Sequence, residues 1–185
     1  MALAQRMSEE DFQQFALTGA EGAWELHDGR LVEKPVVTWS HGDIVIELAH
    51  RLRLQLDRDQ YRVFTELRVR RPPATVLMPD LLVVPTVCGQ TLRDQPTLAI
   101  FADPLPLVVE VWSPSTGGYD VDTKAPMYEQ RGDREIWRIH PFERTLTSWQ
   151  RQRDGSYREM VHRAGSVTPM ALPGVTIDLD NLFDG

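Results

Sequence analysis

One short run constrains this chain more than any other: Leu107-Val108-Val109-Glu110-Val111-Trp112 is apolar on both sides of a single acid, Glu110. A run of this kind reads as a buried strand. An ionised carboxylate inside it costs on the order of several kcal/mol unless a counter-charge or a metal takes up the charge. Earlier in the chain Asp80 follows Pro79 and opens a second apolar run, Leu81-Leu82-Val83-Val84. Two acids converging from neighbouring strands of a mostly apolar sheet point to a divalent cation, because such ions take hard oxygen ligands.

The 185 residues are expected to form one domain, 1-185, since a chain of that size buries about two-thirds of its unfolded surface around a single core. Cys88 is the only cysteine, which excludes an intrachain disulfide and a cysteine-based zinc cluster and agrees with a reducing cytoplasm. The stretch Met1-Ala2-Leu3-Ala4-Gln5-Arg6 has no signal-peptide apolar core, and no run approaches the roughly 20 apolar residues that cross a bilayer. The expected location is therefore cytoplasmic, without a membrane partner. A net charge of −7 is mildly unfavourable for binding phosphates, but local basic clusters matter more than the sum. Arg68, Arg70 and Arg71 form one cluster, and Arg51, Arg53 and Arg58 another. Of the 20 basic residues only Lys34 and Lys124 are lysines; lysine at 124 hints at a role for a compact ammonium.

Ser8 with Asp11 predicts a capped N-terminal helix running to Gly19. Trp24 to His27, Asp28-Gly29, and Arg30 to Glu33 predict a hairpin with a primed turn. Ser40 with Asp43 is expected to cap a helix of about four turns, carried by Ile44, Leu48, Leu52 and Leu56. Tyr61, Val63, Thr65, Leu67 and Val69 alternate as on one strand from 61 to 70, ended by Pro72 and Pro73. A further strand is expected from Val76 to Val84. A polar connection, 85 to 104, long enough for a functional flap, leads to the Glu110 strand. Gly117-Gly118 predicts a loop, Asp120 or Asp122 a cap for a helix through Arg131, and Gly132 its stop. Glu135 to Ile139 predicts a strand, and Thr145 to Arg151 with Tyr157 to His162 a closing hairpin around Asp154-Gly155. The tail through Leu172 to Val175 leads to a last short turn. The fold class is α/β, or α+β in some schemes: helix, three strands, helix and strand around a central mixed sheet, with an N-terminal helix and hairpin and a C-terminal hairpin added.

Taken in order, several motifs resemble the Uma2 family: Trp24-Glu25-Leu26-x-Asp28-Gly29-x-Leu31-Val32, Pro79-Asp80, Val108-Val109-Glu110-Val111-x-Ser113-Pro114-Ser115, Lys124-x-x-x-Tyr128 and Glu135-x-Trp137. That family is assigned to the PD-(D/E)XK restriction-endonuclease-like superfamily. The resemblance runs from about residue 8 to Phe183, and the ordered set is far more specific than any member. It implies a restriction-endonuclease-like core and metal-assisted hydrolysis of phosphodiesters. Asp80 and Glu110 match the superfamily's two acids and, with the Val111 carbonyl, would bind Mg²⁺, with Mn²⁺ as an alternative. Where the literal pattern expects lysine, this chain has Trp112, on the strand face of Glu110. Lys124, near the start of the next helix and one turn from Tyr128, resembles the migrated lysine of the Uma2 pattern. Glu25 would support a second metal or the water network.

Each assignment has a plainer rival. Asp80 also fits a turn after proline, Glu110 an ion pair with arginine, Lys124 a solvated first helical turn, and Glu25 a cross-strand charge pair. His41 reads more readily as exposed or capping than as a site residue, Glu66 as solvated, and Trp137 and Tyr128 as core. Ser113 and Ser115 lack the Gly-x-Ser-x-Gly elbow of a serine nucleophile. The implied partner is nucleic acid, most readily DNA, with a homodimer expected by analogy to nucleases that cut two strands. The reading from another class is a non-catalytic module that uses the nuclease scaffold to bind nucleic acid or protein; Trp112 and the acidic balance favour it.

Overall fold

A computed structural model describes residues 6–19, 21–34, 37–90, 92–93, 96–114 and 123–184. Helix α1 (Glu9–Leu17) starts at Ser8, whose Oγ accepts from the Asp11 N–H at 3.0 Å; its three first-turn acids complement the helix dipole. Strands β1 (Trp24–His27) and β2 (Arg30–Glu33) form the expected hairpin. Asp28 and Gly29 hold φ of 47° and 81°, the left-handed pair that a primed turn requires.

Helix α2 (Trp39–Gln55) corrects the expected start at Ser40. Thr38 is extended and its Oγ1 accepts from the His41 N–H at 3.3 Å, so Ser40 falls inside the first turn. A cap residue must be non-helical while its side chain reaches the third amide onward, and Thr38 meets both conditions.

Two expected strands are each broken in two. The run 61 to 70 becomes β3 (Tyr61–Thr65) and β4 (Arg68–Arg71), with Glu66 at φ 58° between them. The run 76 to 84 becomes β5 (Thr75–Leu77) and β6 (Leu81–Pro85). Pro79 lies in this second break and offers no N–H to continue a ladder. The breaks lie opposite one another: Thr65 pairs with Leu81 on one side and Val69 with Leu77 on the other. The ribbon therefore passes from one sheet to another through a double kink.

The connection expected as a polar flap carries α3 (Thr86–Gly89) and β7 (Ile100–Phe101), which pairs in parallel with β4. Then come β8 (Leu107–Val111), α4 (Ala125–Arg131), β9 (Glu135–His140), β10 (Thr145–Arg151), β11 (Tyr157–His162), β12 (Ser166–Val167), β13 (Ile177–Asp178) and α5 (Leu179–Asp184). Gly132 at φ 82° ends α4 as a left-handed cap. The Gly117-Gly118 loop, Ser115 and the Asp120 or Asp122 cap lie outside the described residues.

The described strands form a six-stranded mixed sheet in the order β11-β10-β9-β8-β6-β3 and a five-stranded sheet in the order β2-β1-β5-β4-β7, with β12 and β13 as a separate pair. Strands β8 and β9 run parallel, and β3, β6 and β8 are antiparallel neighbours. The larger sheet matches the α/β reading of helix, three strands, helix and strand. Ile44, Leu48 and Leu52 of α2 pack on one of its faces with Leu81, Val109 and Val111. Leu82, Val108, Tyr128 and Ile136 form the core of the other face. Leu48 and Leu52 are fully buried, each contributing about 1.5–3 kcal/mol relative to an exposed side chain. Among the described residues no helix is long and apolar enough to cross a membrane.

Candidate active site

The double kink sets the site between the two sheets. β6 pairs with β8 through Leu81 and Val109; continuing that register by one residue sets Asp80 opposite Glu110. The Val111 N–H donates to Asp80 Oδ2 at 2.7 Å, which closes the ladder with a side chain where Pro79 has interrupted it. On the other side of the break the Met78 N–H donates to Glu25 Oε1 at 2.7 Å. Glu25 belongs to β1 in the smaller sheet, and the kink brings it against the acids of the larger one.

Lys124 joins the two sheets. Its ammonium lies 2.9 Å from Glu25 Oε1 and 3.0 Å from Glu110 Oε1. It takes helical backbone angles directly before Ala125, in the turn that leads into α4. One turn on, the Tyr128 hydroxyl donates to the same Glu110 oxygen. Glu25, Asp80, Glu110 and Lys124 are each 3% exposed or less, so their charges must be settled internally.

Asp80 has two further partners. Lys34 Nζ lies 2.7 Å from its Oδ1 and His41 Nε2 3.0 Å from its Oδ2. A carboxylate only accepts hydrogen bonds, so His41 carries its proton on Nε2. His41 Nδ1 is buried without a hydrogen-bond partner among the described residues. His27 Nε2 likewise lies 2.8 Å from Glu25 Oε2.

These contacts fix the ionisation of the group. Burial alone raises the Glu25 carboxyl, but Lys124, His27 and the Met78 amide outweigh it and hold its pKa down to about 2. Asp80 is likewise raised by burial and pulled far below the ordinary aspartate value by His41, Lys34 and Lys124. Burial lowers the Lys34 ammonium, yet Asp80 and Glu110 leave it above an ordinary lysine. Burial and the adjacent Glu110 push the Tyr128 phenol well up, so it remains a hydrogen-bond donor.

Among the sequence candidates, Glu25, Glu110 and Lys124 meet directly, and Asp80 joins them across the strand pair. Val111 contributes its N–H to Asp80. The rival pairing of Glu110 with an arginine is replaced by Lys124 and Tyr128. Trp112 follows β8, and its ring stacks on His140 with centroids 4.2 Å apart. Glu66 is exposed at the kink. Trp137 is core, and its Nε1 donates to the buried Glu135 at 2.7 Å, so the Glu135-x-Trp137 motif supports the sheet rather than the site.

Sequence reasoning missed Lys34 and His27 and undervalued His41. The available signal was lysine scarcity: both lysines of the chain stand in this cluster.

The donor set suits a hard divalent ion, which binds through one or two carboxylates while keeping several waters. Asp80 and Glu110 supply such oxygens, and a cation there would compete with Lys34, His41 and Lys124 for them. Among the described residues no three or more His, Cys, Asp or Glu side chains are grouped to hold a metal.

The sequence matches the model of the Uma2 family, described as "Putative restriction endonuclease", over residues 9–180. None of the curated proteins matches it. The fold is similar to the crystal structure of a "putative nuclease belonging to DUF820" from Anabaena variabilis ATCC 29413. The TM-score is 0.79 at 20% identity, over 96% of this chain and 98% of that one.

Proposed function

This chain belongs to the Uma2 family of restriction-endonuclease-type proteins, and on that premise we propose that it is a metal-dependent nuclease hydrolysing phosphodiester bonds of DNA. The observation that carries this reading is the Lys124 ammonium, buried between Glu25 and Glu110 at 2.9 and 3.0 Å, beside Asp80. Burying three acids and Lys124, with Lys34 half-buried beside them, is a poor way to stabilise a fold, since apolar residues of similar volume do as well or better. Such clusters belong to sites.

Asp80 and Glu110, with the Val111 carbonyl, would hold Mg²⁺ or Mn²⁺, which when bound polarises a phosphate and lowers the pKa of its water. The chain's own groups do the rest. Lys34 and His41 fix the Asp80 carboxylate, Tyr128 orients Glu110, and Glu25 holds Lys124 in place. The Lys124 ammonium offsets negative charge growing on the phosphate oxygens in the transition state. Cutting both strands takes two such sites, so the proposal includes a homodimer; the lone cysteine fits action in the cytoplasm.

The test is cleavage of supercoiled plasmid by the wild type and by Glu110→Ala with Mg²⁺ or Mn²⁺. Nicking by the wild type alone is expected. Absence of cleavage of any nucleic acid with either metal, together with no metal uptake by calorimetry, overturns it in favour of a non-catalytic binding module.

A further inference from the structure

A cavity of about 620 Å³ lies at the free edge of the six-stranded sheet, along β3. Among the described residues four arginines line it, Arg53, Arg58, Arg62 and Arg93, and no carboxylate does. In a chain of net charge −7, that concentration of one sign makes a local positive field against the overall balance. None of the four forms an ion pair among the described residues, whereas Arg51, Arg70, Arg71, Arg131 and Arg144 do. Arg62 Nε is buried with no hydrogen-bond partner among the described residues, a state it shares with Arg68, Arg70, Arg71 and Arg138.

The cavity also has an apolar floor. Phe64, Leu67 and Phe101 line it, and the Phe64 and Phe101 rings are 6.5 Å apart. Arg62 and Phe64 alternate onto the same face of β3, paired with Val84 and Leu82 of β6. The Arg62 guanidinium thus stands on the face that carries the Phe64 surface.

We propose that this groove binds an unpaired strand of nucleic acid, its phosphates on the arginines and a base on the Phe64 floor. The strand is named on the nuclease reading above; the charge and the floor stand without it. The combination of cationic rim and aromatic surface is what sequence-tolerant single-strand binding uses. The volume admits a nucleotide or two but not a duplex, which would reach only the rim. On β6 the groove is lined by Val84 and Pro85, the latter five residues from Asp80, about 16 Å at strand spacing. A strand seated there and continuing along β6 would reach the acids and Lys124 several nucleotides on.

Fluorescence anisotropy in EDTA, where no cleavage occurs, tests this with a labelled single strand of about twelve nucleotides. Arg62→Glu/Arg93→Glu is expected to weaken binding at least about tenfold and flatten its salt dependence. The same charge change at exposed Arg153 and Arg163 is expected to leave binding within about twofold. Equal loss in both double variants, or competition by duplex or inorganic phosphate as strong as by single strand, overturns the groove. Plasmid cleavage with Mg²⁺ is read separately. Cleavage with binding indifferent to Arg62 and Arg93 sinks the groove and spares the nuclease. Groove-dependent binding without cleavage does the reverse.

Discussion

The Lys34 ammonium lies 2.7 Å from Asp80 Oδ1, which ties the end of the N-terminal hairpin to the start of β6. Asp80 has its two oxygens held by three donors, Lys34, His41 and the Val111 N–H. Its position and its charge are both set before any ion or substrate arrives.

Lys34→Met is expected to leave Asp80 partly uncompensated and lower folding stability by about 3 kcal/mol. Urea denaturation measures this. Adding Asp80→Asn to the same chain should recover part of the loss, because the buried charge is then gone; a double variant as unstable as the sum of the two singles counts against the pairing.

Lys124→Met removes the ammonium that shares oxygens with a cation at Glu110. Metal affinity is expected to rise, by about tenfold for Ca²⁺ in calorimetry, while Mg²⁺-supported cleavage falls by at least about a hundredfold. A parallel fall in both quantities would show that Lys124 merely maintains the fold.

Stability should depend on pH through Glu25 and Lys34 in opposite directions. The Glu25 pKa falls from 4.5 to about 2 on folding, so its contribution is complete above 4.5 and is lost as pH falls toward 2. Lys34 is raised above its ordinary 10.5, so its contribution is complete below 10.5 and is lost as pH rises through its folded value. Denaturation midpoints across pH are expected to show Glu25→Gln closing on the wild type only in the acid range. A gap that stays constant from neutral pH to pH 2 refutes the assignment.

At the first kink Glu66 holds φ 58°, a conformation that glycine adopts without a Cβ clash. Glu66→Gly is expected to raise stability by about 0.5 kcal/mol and Glu66→Val to lower it by about 1 kcal/mol or more. Thermal melts of the two variants check the sign.

Much of the fold was legible where the controlling chemistry is local. Asp28-Gly29 announced a primed turn, Gly132 a helix stop, and the Val108 to Trp112 run a buried strand. The kinks were not legible, because Leu67, Val69 and Val76 keep period-two alternation across them; alternation states which face is buried, not which sheet the residue joins. Thr38 and Ser40 are both competent caps, and only the packing of α2 chooses between them. The acids and Lys124 stood out by type and order. Lys34 and His41 did not, since their shared partner Asp80 is distant in sequence and only the tertiary fold brings it near; His27 lies two residues from Glu25 on β1, a pairing that the strand alternation allowed but did not single out.

Glu25 hangs from one sheet and Glu110 from the other, with a single ammonium clasped between them. The clasp works as a gauge of how far the two sheets have slid past each other. Any displacement of one sheet against the other lengthens one of those two contacts at the expense of the other, so the alignment of the sheets and the placing of the ammonium are a single property.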